Sequence, residues 1–410
     1  MNAASPAQLR ELSRAAREAT DSQLLRLVAV LDRLPRRGAA DAVLEPVRHR
    51  LGALRPERPM TPMRLLFLPM DGLIVAPRDW RGGGRQLPRN ALVPIGEAVF
   101  AAAPGLSEGL AASIGEAPLS DHALAATLGA RLWPAAAQSL PQTSPPGWAE
   151  AGLPDAAYAR LRPLVALLWR HGPAVHALRV AGAEGPPEEL ARPVFRTLAA
   201  EGGEAVEIAL SAVLPAAMRP ARLVSLVAGL DRALAPAAER ALDHFLTALT
   251  PPPPVSDLAR TAAAARRFAA LVEDLERTIT RDAPRRAQIL QGLRHAAAVH
   301  CRERLDAETC AVLLGPLSEM LDAPAAPGAA GDAEVAALEQ RARALRALAE
   351  AGRRLNGQGG LPGEGLRAVR ARLAAALPGL PESGEGFGRA DALRLIEILE
   401  GPEAAAAARR

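Results

Sequence analysis

Lysine is absent from this chain, and all 49 basic residues are arginine. With a single tyrosine and two cysteines as well, almost nothing titrates between histidine and arginine. A net charge of only +4 therefore carries the isoelectric point to about 10.1. That high value is no argument for nucleic-acid binding, because the charge itself is modest. Two cysteines in 410 residues exclude a disulfide framework and fit a reducing compartment. No apolar run reaches the roughly 20 residues of a membrane span, and the first residues lack the apolar segment of a secretory signal. The expected compartment is the cytoplasm. Aromatic residues make up only 3%. A core of Leu, Val and Ala suits closely approaching helices better than a sheet, which draws on Ile, Thr, Tyr and Phe. Arginine in place of lysine, abundant alanine and few aromatics also fit a bacterial genome of high GC content.

What is present is helix text. Ser5-Pro6 opens a first amphipathic helix with Leu9, Leu12, Ala16 and Ala19 on one stripe. Thr20 and Gln23 stand at capping-box spacing before a second, Leu24 to Leu34, and a third carries Val43, Val47, Leu51 and Leu54. Asp121 or Ser120 is placed to cap a helix ending at Trp133, before Pro134. The middle of the chain predicts helices near 158–170, 173–180, 188–200, 205–214, 221–233 and 237–249. Beyond the prolines of 251–254, the spacing of Leu258, Ala265, Phe268, Val272, Leu275 and Ile279 predicts a regular helix with a narrow apolar seam. Helices near 285–304, 307–321, 333–355, 365–377 and 389–399 complete the chain. No fixed repeat of 20–50 residues is found. The fold class read from these patterns is all-α, a multi-helix array or stacked helical bundles. Proline-rich and glycine-rich joints divide it into 1–140, 148–250, 255–322 and 332–410.

One stretch differs. Residues 58–100 hold three of the six methionines, two of the six phenylalanines and six prolines. Thr61-Pro62 starts a short buried helix through Leu65, Leu66 and Phe67, which Pro69 and Gly72 should break. Leu73, Ile74 and Val75 then form a second apolar segment, with helix favoured over strand. RGGGR at 81–85 reads as an exposed glycine loop, since ordering successive glycines costs the most backbone entropy. Asn90 is placed to cap a helix from Ala91 to Ala103. Arg64, Arg78, Arg81, Arg85 and Arg89 outnumber Asp71 and Asp79, giving the one local basic excess. With Trp80 they form the candidate surface for a partner or an anion, while Phe67, Asp71 and Gly72 are expected to serve structure. Asp71 is expected in an ion pair with Arg64 or Arg78.

Motifs for chemistry are weak. His295, His300, Cys301 and Cys310 are the densest metal-capable group, but a spacing of five puts the two histidines about 140° apart around a helix. RGGGR lacks the pattern and the strand–loop–helix setting of a nucleotide loop, and GEGFG at 384–388 resembles a dinucleotide loop even less. No nucleophile elbow is found. Glu339, Arg343, Arg346 and Glu350 pair along a helix face. Trp80, Trp133, Trp148 and Trp169 lie at helix ends or in loops, where they read as plugs at core edges. No metal and no cofactor is therefore expected. The expected function is a non-enzymatic helical scaffold or adaptor that mediates protein–protein interaction. The alternative is an anion- or nucleic-acid-binding helical protein using Arg64–Arg89.

Overall fold

Alanine and leucine at helical spacing carry through into the three-dimensional structure. In a computed structural model of the chain, 81% of the described residues are helical and strand is confined to two short segments, so the fold is all-α. The structure describes residues 58–80, 82, 85–184, 188–252, 257–278, 283–322, 332–356, 364–382 and 387–409, with scattered positions among the first 57. Two compact units emerge, and their division falls inside two of the helices.

The first unit to consider holds Glu57–Leu249 and Glu273–Leu290. It begins with α1 (Pro62–Phe67), a 3-10 turn over Leu68–Leu73 and strand β1 (Ile74–Val75). Strand β2 (Leu87–Pro88) pairs with β1 in parallel, Ile74 opposite Leu87. Then come α2 (Leu92–Ala102), two short helices at Pro104–Ser107 and Leu110–Ile114, α3 (His122–Gln138), α4 (Asp155–Arg170), α5 (Gly172–Glu184), α6 (Glu188–Ala200), α7 (Gly203–Val213), α8 (Pro220–Ala228) and α9 (Ala235–Ala248). Helix α7 is buried from Ala205 to Val213 on every face and packs against α9 and α6, which makes it the axis of this unit. Gly202, at φ 113°, turns the chain into it from α6.

Several local expectations are met. Thr61 Oγ1 accepts from Arg64 N at 3.2 Å, and Asp121 Oδ1 accepts from Leu124 N at 3.0 Å, so both act as N-caps. Others need correction. In the segment after Gly72, Leu73 ends the 3-10 turn and Ile74 and Val75 are strand, not helix, because the backbone of β2 lies alongside to pair with them. Asn90 does not cap α2: it sits inside a 3-10 turn and its side-chain amide donates to Ala151 O at 2.7 Å. Nor does Pro134 end α3, which runs four residues further. A proline removes one ladder bond, and here the packing of α3 against α4 and α5 outweighs that loss. Residues 140–147 lack helix but are tied down, since Pro141 O accepts from Tyr158 Oη at 2.7 Å and Arg162 Nε at 2.9 Å.

The other unit holds Met1–Pro56, Thr250–Val272 and Gln291–Arg410. Near its start Ala16, Leu24, Val28, Val43, Leu44 and Val47 are buried together, whereas Leu12 of the expected stripe is exposed. Leu9, Leu51 and Leu54 lie outside the described residues, as do Pro253, Pro254 and the spacer 323–331. The remaining helices are α10 (Leu258–Thr278), α11 (Pro284–Glu308), α12 (Gly315–Asp322), α13 (Asp332–Asn356), α14 (Glu364–Ala376), α15 (Arg389–Glu400) and a last short one at Pro402–Ala408. The break expected near Ala307 is absent: α11 continues into α12 through a π-helical turn at Thr309–Leu314. Thr309 there returns its hydroxyl to Leu305 O at 2.6 Å, and Gly365 of α14 fits against its methyl group. Arginine also replaces lysine usefully at helix ends, where its fork reaches unpaired carbonyls. Arg294 donates to Leu355 O and Arg354 O at the end of α13, and Arg346 to Ile398 O at 2.8 Å in α15.

Candidate functional site

The candidate surface is organised by how residues 58–100 are held. Helix α1 buries Leu65, Leu66 and Phe67. Trp133 of α3 donates its indole N–H to Leu65 O at 2.8 Å, and Trp169 of α4 does the same to Leu66 O at 2.7 Å. Phe67 lies 5.5 Å from the Trp169 ring, centroid to centroid. Trp133, Trp148 and Trp169 are thus the largest fully buried side chains among the described residues, and Trp133 and Trp169 seat α1. A tryptophan beside α1 satisfies a polar N–H while burying its whole ring, which is why so few aromatics suffice.

Following α1, a Cβ placed on Gly72 would lie 2.8 Å from Arg179 Nη1 and 3.1 Å from both Ala212 O and Pro215 Cγ. The sequence assigned it to structure for its turn, and the close approach adds a second reason. Gly72→Val is expected to destabilise the protein by about 1–3 kcal/mol through overpacking, measured as a lower denaturant midpoint; an unchanged midpoint would show that the contact relaxes freely. Asp71 is more than half exposed and meets Arg179 Nη2 at 3.5 Å, so its partner is neither Arg64 nor Arg78. Arg179 also donates to Ala212 O at 2.8 Å. Burial pulls its pKa down, and the Asp71 charge opposes that shift.

The segment joining β1 to β2 is rooted by Arg85. Its Nε meets Glu207 Oε1 at 3.0 Å and its Nη1 meets Glu204 Oε1 at 3.1 Å, both on α7. Glu207 also accepts from Arg240 Nε at 2.7 Å, with His244 Nε2 at 3.5 Å, both from α9. The Glu207 carboxylate is 4% exposed. Burial alone would push its pKa up, but the hydrogen bonds and charges of Arg240 and Arg85 outweigh this and hold it below the ordinary range. Arg85 is therefore drawn inward as an anchor.

The other predicted residues are placed differently. Arg64 is half-buried and donates to Pro59 O at 2.7 Å. Arg78 is 77% exposed, with Asp79 at 3.9 Å. Arg89 is exposed and Trp80 is half-buried, while Arg81, Gly83 and Gly84 lie outside the described residues. Gly82 has φ 71°, a conformation that glycine supplies without strain. The structure thus brings Arg85, Glu204 and Glu207 together and leaves Arg78 and Arg89 at the surface. Sequence reasoning missed Glu207. Its signal is a carboxylate set among Val206, Ile208 and Leu210, in a helix apolar enough to be buried on all sides.

Elsewhere, His295, His300 and Cys310 are exposed and Cys301 is buried. The Cys301 thiol lines an apolar cleft with Phe268, Ala297 and Leu348, and burial pushes its pKa up to about 11, which disfavours the nucleophilic thiolate. Among the described residues, no three His, Cys, Asp or Glu side chains are grouped so as to hold a metal, and no helix is long and apolar enough to cross a membrane. Part of GEGFG, residues 384–386, lies outside the described residues. Arg343 pairs with Glu339 as expected, whereas Arg346 turns to the carbonyls of α15. Compared with known proteins, the chain matches no family, no curated sequence and no solved structure.

Proposed function

We propose that this is a non-enzymatic helical protein mediating protein–protein interaction, which presents the segment between β1 and β2 to a partner with an acidic surface. One observation carries this reading: Arg85 ties the root of the segment to buried Glu207, while Arg78 and Arg89 stay at the surface. A loop anchored on a rigid helix loses less conformational entropy when a partner binds it. Arginine adds a planar fork suited to carboxylates. Arg85 acts here as the anchor and Arg64 is half-buried and bonded to Pro59 O, so the recognition surface reduces to Arg78, Trp80, Arg81 and Arg89.

Replacing Arg78, Arg81 and Arg89 together with Glu tests this. The melting temperature should stay within about 2 °C of the parent, since exposed charges contribute little to stability. Capture of the partner from lysate should be lost, because a cationic surface turned anionic repels what it attracted. Nuclease treatment before capture separates a protein partner, which persists, from nucleic acid, which does not. A folded triple variant that retrieves every partner of the parent would reduce this segment to a solvated connector.

A further inference from the structure

We propose that His176 is an acid-operated latch on Trp133: a proton on its buried ring loosens the seat of Trp133 and thereby the hold on α1. The proposal stands apart from the partner surface. His176, on α5, is 3% exposed, and its Nε2 is buried without a hydrogen-bond partner. Its ring centroid lies 5.3 Å from that of Trp133 and 5.8 Å from that of His122 in the first turn of α3. A neutral imidazole serves in this position as an apolar plate. An imidazolium carries two N–H donors, and the site offers Nε2 no acceptor.

The charges nearby add to the effect. Among the described residues, those acting on His176 are His122 from α3 and Arg179 from one turn along α5, both positive when ionised. Asp71 offsets Arg179 from 3.5 Å. Burial is the main cause that drives the His176 pKa down, to about 4, and a backbone hydrogen bond at His122 partly opposes it. Cation–π attraction to Trp133 would recover only part of the loss.

Trp133 has little freedom to adjust. The Cβ positions of Gly129 and Gly172 would fall 2.3 and 2.7 Å from its side chain, so both glycines are moulded to it. Its indole N–H reaches Leu65 O of α1. A charged His176 therefore acts on a wedge that two helices and α1 share.

The sign follows from linkage. Opened to water, the ring regains a pKa near 6.5, so the open state binds the proton more tightly than the closed one. As pH falls from about 6.5 toward about 4, the opening constant should rise, with a slope approaching tenfold per pH unit midway between those values.

The test uses the full-length protein labelled with 15N-tryptophan. Exchange of the indole N–H groups is followed from pH 6.5 to 5, corrected for intrinsic rates, with circular dichroism reporting total helix. Protection of Trp133 should fall about 15-fold, since the opened ring is already half protonated at pH 6.5 and the full slope sets in only below it. Trp148, whose N–H donates to Pro154 O at 3.0 Å, should keep its protection, and the spectrum should stay constant. H176F should remove the Trp133 effect. An equal slope in H176F overturns the proposal, and so does a joint fall of Trp133 and Trp148. A titration of the His176 ring in the parent protein needs no variant: a midpoint near 6.5 with Trp133 protection unchanged also overturns it.

Discussion

Trp133→Ala is expected to destabilise the protein by about 3–5 kcal/mol, the range for deleting a fully buried aromatic side chain. The ring is completely buried and Gly129 and Gly172 are shaped to it, so a cavity left there is walled by backbone that cannot collapse inward cheaply. The polar loss is smaller than it first looks. Leu65 O accepts from Leu68 N as well as from the indole, so removing Trp133 takes away one of two hydrogen bonds. Trp133→Phe, which keeps most of the ring, should therefore recover more than half of the loss. Chemical denaturation of the two variants measures both quantities. An alanine variant within about 1 kcal/mol of the parent would mean that α1 is not seated on this residue.

Glu207→Ala should cost on the order of 3 kcal/mol, because it removes the one buried carboxylate that Arg85 and Arg240 share. The figure sits at the low end for a broken buried pair, since Arg85 keeps Glu204 and Arg240 is half exposed. The diagnostic effect is local. With its root untied, the β1–β2 segment should become sensitive to trypsin at Arg81 and Arg85 well before the helices are cut. The same linkage gives the acid response. Glu207 has its pKa lowered in the folded state, so its contribution is present above the ordinary carboxylate range and is lost as pH falls below that range. Trypsin cleavage at an unchanged rate in Glu207→Ala would show that something other than Arg85 holds the segment.

Helix positions were legible because their signals are local. Thr61 and Asp121 stand where a hydroxyl or carboxylate can reach an N–H three residues on, and nothing distant alters that reach. The errors arose where tertiary packing overrode a local signal. Pro134 reads as a stop, yet the packing of α3 against α4 and α5 carries the helix past it. The break expected near Ala307 is replaced by a π turn in which Thr309 bonds back to Leu305 and Gly365 of α14 packs close. Ile74 and Val75 are apolar enough for either state, and the neighbouring backbone of β2 decides for strand.

By itself the amino-acid sequence determined that this protein is all-α, where most helices begin, and that a short helix opens residues 58–100. Each of these follows from the period of apolar residues and from caps within four positions. Only the tertiary structure decided which polar groups are structural. Arg85 meets Glu207 across 122 positions, and Trp169 meets Leu66 O across 103. No local pattern encodes such pairings. An arginine in a glycine loop has the same neighbours in sequence whether it faces solvent or a buried carboxylate, and its environment is fixed only when α7 packs beneath it.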